Sequence, residues 1–274
     1  MQIEIKDDFD LGKIADSGQC FRFNKCGDGY SVVAGDKYVF VKEVGDDKYD
    51  FSCDEETFEG FWENYFDLET SYSGIRKLID KKKDIYLYSA SEFGKGIRIL
   101  RQDPWEMLIS FIISQRKNIP AIKASIEKLC ALSGKKIATD PEGNIIYSFP
   151  TPKELSKVSM DQLTACSLGY RDKYVHQAAM DVFSGACDLD SYKELSDEGL
   201  MEKLLALYGV GVKVANCEIL FGYHRLNAFP KDVWINRVLE LRYPQGFLFD
   251  KYAPYNGVMQ QYLFFYSRSE GLEG

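Results

Sequence analysis

Histidine is scarce in this sequence, and no stretch is apolar enough to cross a membrane. Only His176 and His224 occur among the 274 residues, and there is no pair of Cys-x-x-Cys elements, so a zinc site is not expected. No apolar run approaches the roughly 20 residues that a membrane-spanning helix needs. The N-terminus also lacks a basic segment followed by an apolar one. We therefore expect a cytosolic protein without membrane contact.

The cysteines do not form the pattern of a disulfide-stabilised protein. There are seven of them, an odd number, at scattered positions: 20, 26, 53, 130, 166, 187 and 217. Such usage is typical of a reducing compartment. The sequence also lacks internal repeats and low-complexity linkers, and its 45% hydrophobic content is enough for a sizeable core.

An overall positive charge, which would favour nucleic-acid binding, is absent. The net charge is −8, and residues 1–95 hold 13 basic and 21 acidic side chains, whereas residues 96–274 hold 21 of each. The excess of acid therefore lies in the first third of the chain. Because affinity for DNA depends on the local charge of a surface, the composition permits a DNA-binding face without indicating one.

Residues 1–52 read as short strands separated by turns. Runs rich in β-forming residues at Cys20–Phe23, Tyr30–Ala34 and Tyr38–Lys42 alternate with Gly- and Asp-rich turns, which predicts an antiparallel meander. From about Glu55 the apolar residues follow helical spacing. Asp103-Pro104-Trp105-Glu106 is typical of a helix start, with an acidic cap and proline at the first position.

The remaining pattern predicts a helical body. Further helices are expected at 118–131, 161–166, 171–183, 197–207, 213–222, 232–241 and 254–267. The fold class is therefore α+β, with a small antiparallel, strand-rich N-terminal domain (1–96) and a large all-helical body (97–274). A helix-hairpin-helix is expected at about 197–222.

Gly209-Val210-Gly211 is the most informative short motif. Two glycines with one residue between them permit a tight turn between helices and bring backbone N–H groups close to a phosphate. Lys213 follows one turn into the second helix, and Asp232 opens the next helical stretch. Each has an ordinary alternative, since the turn can be a mere connection, the lysine a phosphate contact and the aspartate an N-cap.

Together, Leu207-x-Gly-Val-Gly-x-Lys-Val-Ala215 and Pro230-x-Asp232 resemble the helix-hairpin-helix Gly/Pro…Asp loop of the DNA glycosylase superfamily, although Tyr208 stands where many members carry proline. The resemblance implies that Lys213 attacks the C1′ carbon of the sugar, displaces the base and forms a Schiff base, after which β-elimination cuts the strand. It also implies that Asp232 stabilises the charge that develops on the sugar.

Three other elements resemble one branch, the 8-oxoguanine DNA glycosylases. They are Ser17–Arg22, Leu168-Gly169-Tyr170-Arg171, and the stretch from Pro254-Tyr255-x-Gly257 to Gln260 and Phe264. In the Ser17-Gly18-Gln19-Cys20-Phe21-Arg22 motif, the resemblance implies that the glycine carbonyl accepts the N7 hydrogen of oxidised guanine. It places Tyr170 as an intercalating wedge and Arg171 as the reader of the unpaired base. The substrate-binding residues so implied are Gly18, Gln19, Cys217, Gln260 and Phe264, and the DNA-binding residues are Asn118, Tyr170, Arg171, Gly209 and Gly211.

The chain departs from the family at the loop that reads the opposite base. Ser114-Gln115-Arg116-Lys117-Asn118 stands where vertebrate-type members carry an asparagine run, and Ala121 replaces a second base-reading arginine. Trp234 replaces a histidine common just after the catalytic aspartate. The four-cysteine iron–sulfur signature of related glycosylases is absent after Asp232.

The sequence therefore predicts a bifunctional glycosylase and β-lyase that flips 8-oxoguanine out of duplex DNA in base excision repair. We expect a monomer that needs no cofactor, allows a monovalent cation at the hairpin, and is cytoplasmic, associated with the nucleoid if bacterial. One alternative is an alkylpurine glycosylase of the same fold, which Lys213 opposes. Another is a non-catalytic helix-hairpin-helix module, which would need neither Asp232 nor an aromatic pocket.

Overall fold

A computed structural model describes residues 1–271 and begins with an antiparallel five-stranded sheet. Its spatial order is β1-β5-β4-β3-β2, and the strands are β1 (Gln2–Glu4), β2 (Phe23–Cys26), β3 (Gly29–Ala34), β4 (Lys37–Gly45) and β5 (Lys48–Phe51). The runs predicted at 30–34 and 38–42 fall on β3 and β4. The strand predicted at Cys20–Phe23 is wrong, because β2 begins only at Phe23 and the Arg22 side chain turns away to Glu127 and the Tyr147 carbonyl.

The helices of the first third of the described chain are short. They are α1 (Leu11–Asp16), α2 (Glu55–Thr57), α3 (Glu63–Tyr65), α4 (Tyr72–Arg76) and α5 (Ile85–Phe93), with a π-helical turn at Phe58–Trp62. The segment 55–66 covers the sheet with aromatic side chains, since Phe66 meets Phe23 and Phe51 at ring distances of 6.2 and 5.7 Å. This fits the helical spacing predicted from Glu55, and α1 is an addition that the sequence pattern did not indicate.

The rest of the described chain is mostly helical. Its α-helices are α6 (Pro104–Ser114), α7 (Ile119–Ser133), α8 (Pro152–Leu155), α9 (Met160–Ala165), α10 (Asp172–Ser184), α11 (Asp197–Leu205), α12 (Val212–Cys217), α13 (Val233–Arg242), α14 (Phe249–Tyr252) and α15 (Asn256–Ser269). Short 3-10 helices lie at Gly169–Arg171 and Ser191–Glu194, and a π-helical turn at Glu218–Gly222 continues α12. A two-stranded hairpin, β6 (Lys136–Thr139) with β7 (Ile145–Tyr147), interrupts them. The α+β class is as predicted, but the body is not all-helical.

Helix α6 lies at the centre of the body, and every residue from Trp105 to Ser114 is buried. Asp103 caps it by accepting a hydrogen bond from the Glu106 N–H at 2.9 Å, and Pro104 occupies the first position, as the sequence predicted. Because α6 is packed on all sides, the position of its C-terminal end is well defined. The loop that follows Ser114 therefore begins from a fixed point in the core.

The sheet and the helical body share a buried, hydrogen-bonded junction. Arg98 is fully buried and donates to the carbonyls of Phe66 and Asp67, while Phe21 packs against Phe111 of α6 at 5.5 Å. Helices α4 and α5 contribute to the hydrophobic core of the body. The division at residues 96 and 97 stays a prediction, and by packing these two helices belong with the body. No helix within residues 1–271 is both long and apolar enough to span a membrane.

Candidate active site and nucleic-acid interface

Helices α11 and α12 form a helical hairpin whose turn requires glycine. Gly209 has φ +83°, and a Cβ atom there would lie 2.3 Å from Cγ of Tyr174, so a side chain is excluded both by conformation and by space. Gly211 is the N-cap of α12, has no side-chain cap, and faces open space. The first N–H groups of α12 are therefore accessible from solvent.

Lys213, in the first turn of α12, points into a small cavity. Its Nζ lies 5.3 Å from the centre of the Phe111 ring. The cavity has a volume of about 40 Å³ and is lined by Gly18, Phe111, Lys213, Cys217, Phe221, Pro230, Asp232, Gln260, Gln261 and Phe264. The predicted nucleophile, the predicted carboxylate and four of the five predicted substrate-binding residues thus meet in one place, although they lie up to 246 positions apart in the sequence.

Asp232 has two roles in the geometry. One carboxylate oxygen accepts a hydrogen bond from the Ile235 N–H at 2.8 Å and caps α13. The same side chain lines the cavity with Lys213. Burial raises the pKa of Asp232, and the backbone hydrogen bond and Lys213 only partly oppose this shift. The N-cap and the cavity-facing carboxylate therefore coexist.

Two neighbouring glutamines bring unsatisfied polar atoms to the cavity wall. Gln260 and Gln261 are buried, and the Oε1 atom of each has no hydrogen-bond partner among the described residues. Their amide nitrogens are held by the carbonyls of Pro230 at 3.1 Å and Ser17 at 3.4 Å. Because an unpaired buried acceptor is costly, these atoms suit a ligand with N–H donors. Gln260 was predicted from the sequence but Gln261 was not, and the only sequence signal for Gln261 is its position next to Gln260.

Gly18 and Phe264 are in contact at the cavity wall. Gly18 has φ +78°, and a Cβ atom there would lie 3.0 Å from Cε1 of Phe264. Cys217 is buried beside Lys213, and burial raises the pKa of its thiol to about 11, so it is a neutral wall. Gln19 does not line the cavity. Its amide instead bonds to the Ser17 hydroxyl and to backbone groups of Arg98 and Leu100, which is a structural role.

A wider cleft of about 640 Å³ leads to the cavity and carries a concentrated positive charge. Its basic side chains are Arg116, Lys117, Lys213, Lys231 and Arg268, and Asp232 is the only acidic residue along the described walls. In a protein of net charge −8, this local excess gives the cleft the sign that a phosphate backbone requires. Trp234 and Asn118 also line the cleft, and the Asn118 side chain caps α7 through the Ala121 N–H at 2.9 Å.

The predicted wedge lies outside the walls of the cleft and is only half exposed. Tyr170 is 48% exposed, and the Arg171 guanidinium stacks on its ring at 4.4 Å. Arg171 is 6% exposed and donates to the carbonyls of Leu168 and Gln115. The structure thus directs Arg171 inward, whereas a side chain that reads an unpaired base would have to point outward.

Within residues 1–271, no group of three or more His, Cys, Asp or Glu side chains could hold a metal ion. All seven cysteines are free thiols. The cavity itself brings together the amine of Lys213, the carboxylate of Asp232 and the thiol of Cys217, and its aromatic walls are Phe111, Phe221 and Phe264.

Comparison with known proteins assigns both parts of the chain. Residues 2–108 match the 8-oxoguanine DNA glycosylase N-terminal domain, and residues 109–244 match the HhH-GPD superfamily of base excision DNA repair proteins. The Saccharomyces cerevisiae N-glycosylase/DNA lyase is 36% identical over 194 residues, which are 65% of this chain and 50% of that protein. This chain thus spans only half the length of that curated relative.

Two solved structures are similar over nearly the whole chain. MBOgg1, in complex with a low-affinity DNA ligand, has a TM-score of 0.92 and 40% identity, covering 98% of this chain and 96% of that one. The Clostridium acetobutylicum 8-oxoguanine glycosylase/lyase, in complex with double-stranded DNA containing cytosine opposite 8-oxoguanine, has a TM-score of 0.88 and 35% identity, covering 99% and 98%.

Proposed function

The chain belongs to the HhH-GPD superfamily of base excision DNA repair proteins, and we propose that it excises 8-oxoguanine from duplex DNA and then cuts the strand. The observation that carries this proposal is the shared cavity of Lys213 and Asp232, which opens into a basic cleft. A duplex held along the cleft can deliver an extruded nucleotide to the amine. The curated and structural relatives named as glycosylase/lyases give independent support.

The proposed reaction uses Lys213 as nucleophile. Its amine attacks C1′ as the bond from C1′ to N9 breaks, and the electron pair of that bond leaves with the base, which takes up a proton. The amine nitrogen then loses one proton, and its lone pair forms the C=N bond as the C1′–O4′ bond breaks. The O4′ oxygen takes up a proton, which leaves a protonated Schiff base on the opened sugar. Loss of a C2′ proton expels the 3′ phosphate, which is the β-elimination. Asp232 stabilises the positive charge on the sugar as the base departs.

The cavity must open before it can hold a purine. Its volume of about 40 Å³ has room for only a few water molecules, since one water needs roughly 10–15 Å³ of such space. Phe264 is the wall that lies against Gly18. We infer that the Phe264 ring moves from Gly18 when the base enters and then stacks on it, while Gln260 and Gln261 accept hydrogen bonds from the base.

The reaction as proposed requires no bound cofactor. A monovalent cation, which the family resemblance allows, would use carbonyls of the hairpin turn. Two of these, Leu207 and Gly209, already accept hydrogen bonds, from the Val210 N–H and the Gln115 amide. No step depends on such an ion. We further propose that the protein acts as a monomer in the cytoplasm, on nucleoid DNA if it is bacterial.

Borohydride trapping on a panel of single-lesion duplexes tests the proposed function. The expected result is a covalent cross-link with duplexes that contain 8-oxoguanine and none with undamaged DNA. A non-catalytic DNA-binding module would form no cross-link with any duplex. An enzyme of the alkylpurine type would release alkylated bases instead of 8-oxoguanine.

Gly18→Ala is expected to slow excision of 8-oxoguanine by at least about tenfold, because its methyl group would press on Phe264 and crowd the carbonyl proposed to accept the N7 hydrogen. The positive φ adds a stability cost of about 1–2 kcal/mol. Single-turnover excision and thermal unfolding measure the two effects. Gly185→Ala is a matched control, with φ +80° and open space around its Cβ. If both variants excise 8-oxoguanine at the wild-type rate, Gly18 does not contact the lesion base.

We also expect tolerance toward the base opposite the lesion. Ala121 offers no side-chain hydrogen bond, and Arg116 has only donors, so neither can accept from the cytosine amino group. Each good base-edge contact contributes about 1–3 kcal/mol, so the preference for cytosine over adenine should be roughly 10- to 100-fold smaller than in members with the full set. Single-turnover excision opposite each of the four bases measures it. A preference of several thousand-fold would mean that Arg171 leaves its internal contacts and reads the base alone.

A further inference from the structure

We propose that Gln115 and Tyr174 clamp the wedge segment, Leu168–Arg171, to the hairpin turn, Tyr208–Gly211, so that gripping the strand and inserting Tyr170 occur as one event. This rests on the proposed function, because the wedge and the hairpin are the two elements assigned to DNA. Neither Gln115 nor Tyr174 carries a role in the reaction described above. Both are positioning residues.

The first link of the clamp is polar. The Gln115 side-chain amide donates a hydrogen bond to the Gly209 carbonyl at 3.0 Å. The Gln115 backbone carbonyl accepts from the Arg171 guanidinium, which also donates to the Leu168 carbonyl at 3.0 Å. One residue at the end of the rigid helix α6 thus holds the hairpin with its side chain and the wedge with its backbone.

The second link is aromatic. The Tyr174 ring meets Tyr170 edge to face at 5.9 Å and Tyr208 edge to face at 4.8 Å. It also lies on the backbone of Gly209, where a Cβ atom would come within 2.3 Å of the ring. Tyr174 therefore touches the wedge and the hairpin at once. Tyr170 and Tyr208, the outer rings of this row of three tyrosines, are 48% and 56% exposed, so both are accessible to a duplex.

The wedge backbone needs such support. Ser167 and Gly169, on either side of Leu168, have φ values of +63° and +59°. A non-glycine residue in the left-handed region persists only where its surroundings determine its conformation, and such residues cluster at functional sites. Lys117 donates a hydrogen bond to the Ser167 carbonyl, and the clamp holds the segment that follows directly after Ser167, so the two together supply these surroundings. Loss of the clamp would remove these contacts between the hairpin turn and Tyr170 and Arg171 of the wedge segment.

Gln115→Leu and Tyr174→Leu test the two links. With an 8-oxoguanine duplex, each variant is expected to lower the single-turnover excision rate about tenfold, and a 2-aminopurine beside the lesion should report slower base extrusion. Tyr174→Phe keeps the ring and should restore the wild-type rate, because the Tyr174 hydroxyl has no partner among the described hydrogen bonds. Gln177→Ala is the matched control, since it removes an exposed amide from the same helix outside the clamp.

A double-mutant cycle separates coupling from general loss of stability. Tyr170→Ala should slow excision about tenfold in the wild-type protein and less than about threefold in Gln115→Leu. In Gln115→Leu the wedge is no longer coupled to the hairpin, so Tyr170 already contributes less to the rate. The clamp would be overturned if the double variant lost the product of the two single rate losses. It would also be overturned if Gln115→Leu and Tyr174→Leu both excised at the wild-type rate. All of these variants keep Lys213 and Asp232, so an inactive wild-type protein would overturn the proposed function instead.

Discussion

Lys213→Gln is expected to abolish borohydride trapping on 8-oxoguanine DNA while retaining affinity for the lesion duplex. Covalent attack on C1′ needs a nitrogen lone pair, and the amide of glutamine has none available. Lys213 lines the cavity with its Nζ 5.3 Å from the centre of the Phe111 ring, and the glutamine side chain is slightly shorter, so the fold should be preserved. The measurement is the yield of cross-linked protein after reduction, alongside Kd for the same duplex.

Lys231→Gln is the matched control for that experiment. It removes the same charge from the same cleft, but Lys231 lies over the Phe249 ring at 5.7 Å and does not line the cavity that holds Lys213. We expect weaker binding and a salt dependence reduced by about one phosphate contact, with trapping retained at saturating protein. A normal cross-link from Lys213→Gln would show that another amine, Lys231 first among them, is the nucleophile.

Local signals in the sequence predicted the elements that position the site. The acidic residue and proline at 103 and 104 start α6, and Asp232 caps α13, because N-caps depend on residues only three positions apart. Helical spacing placed α10, α11 and α15 close to their observed bounds. The pattern of β3 and β4 was equally local, since adjacent strands joined by a tight turn pair with each other.

Long-range contacts account for what the sequence could not predict. The hydrogen bond from Gln115 to Gly209 joins residues 94 positions apart, and no periodicity encodes it. Gln19 and Arg171 were assigned from a family motif, but the direction of each side chain depends on partners elsewhere in the fold, Arg98 for the first and Gln115 for the second. Residue type was therefore predictable at these positions, whereas orientation was not.

Asp232→Asn is expected to slow base excision by about 10²–10³, the loss typical for removal of one preorganised electrostatic group. Asparagine can still accept the hydrogen bond from the Ile235 N–H, so the cap of α13 and the stability should change little. Single-turnover excision measures the loss, and affinity for lesion DNA should change far less than the rate.

The pH profile adds a second signature. Burial raises the pKa of Asp232, so its carboxylate becomes protonated, and loses its charge, at a higher pH than an ordinary aspartate would. The excision rate of the wild type should therefore fall as the pH is lowered through this raised pKa. This decrease at low pH should be absent in Asp232→Asn.

Asp103→Asn is the control that separates capping from catalysis. Asp103 caps α6 through the Glu106 N–H at 2.9 Å, burial also raises its pKa, and it lies outside the cavity of Lys213. The Asp103→Asn variant should therefore excise 8-oxoguanine at the wild-type rate and show the same decrease in rate at low pH as the wild type. If Asp232→Asn behaves in the same way, with a loss below about tenfold, Asp232 is an N-cap only, since a carboxylate that stabilises a charged sugar contributes more than 1.36 kcal/mol to the transition state.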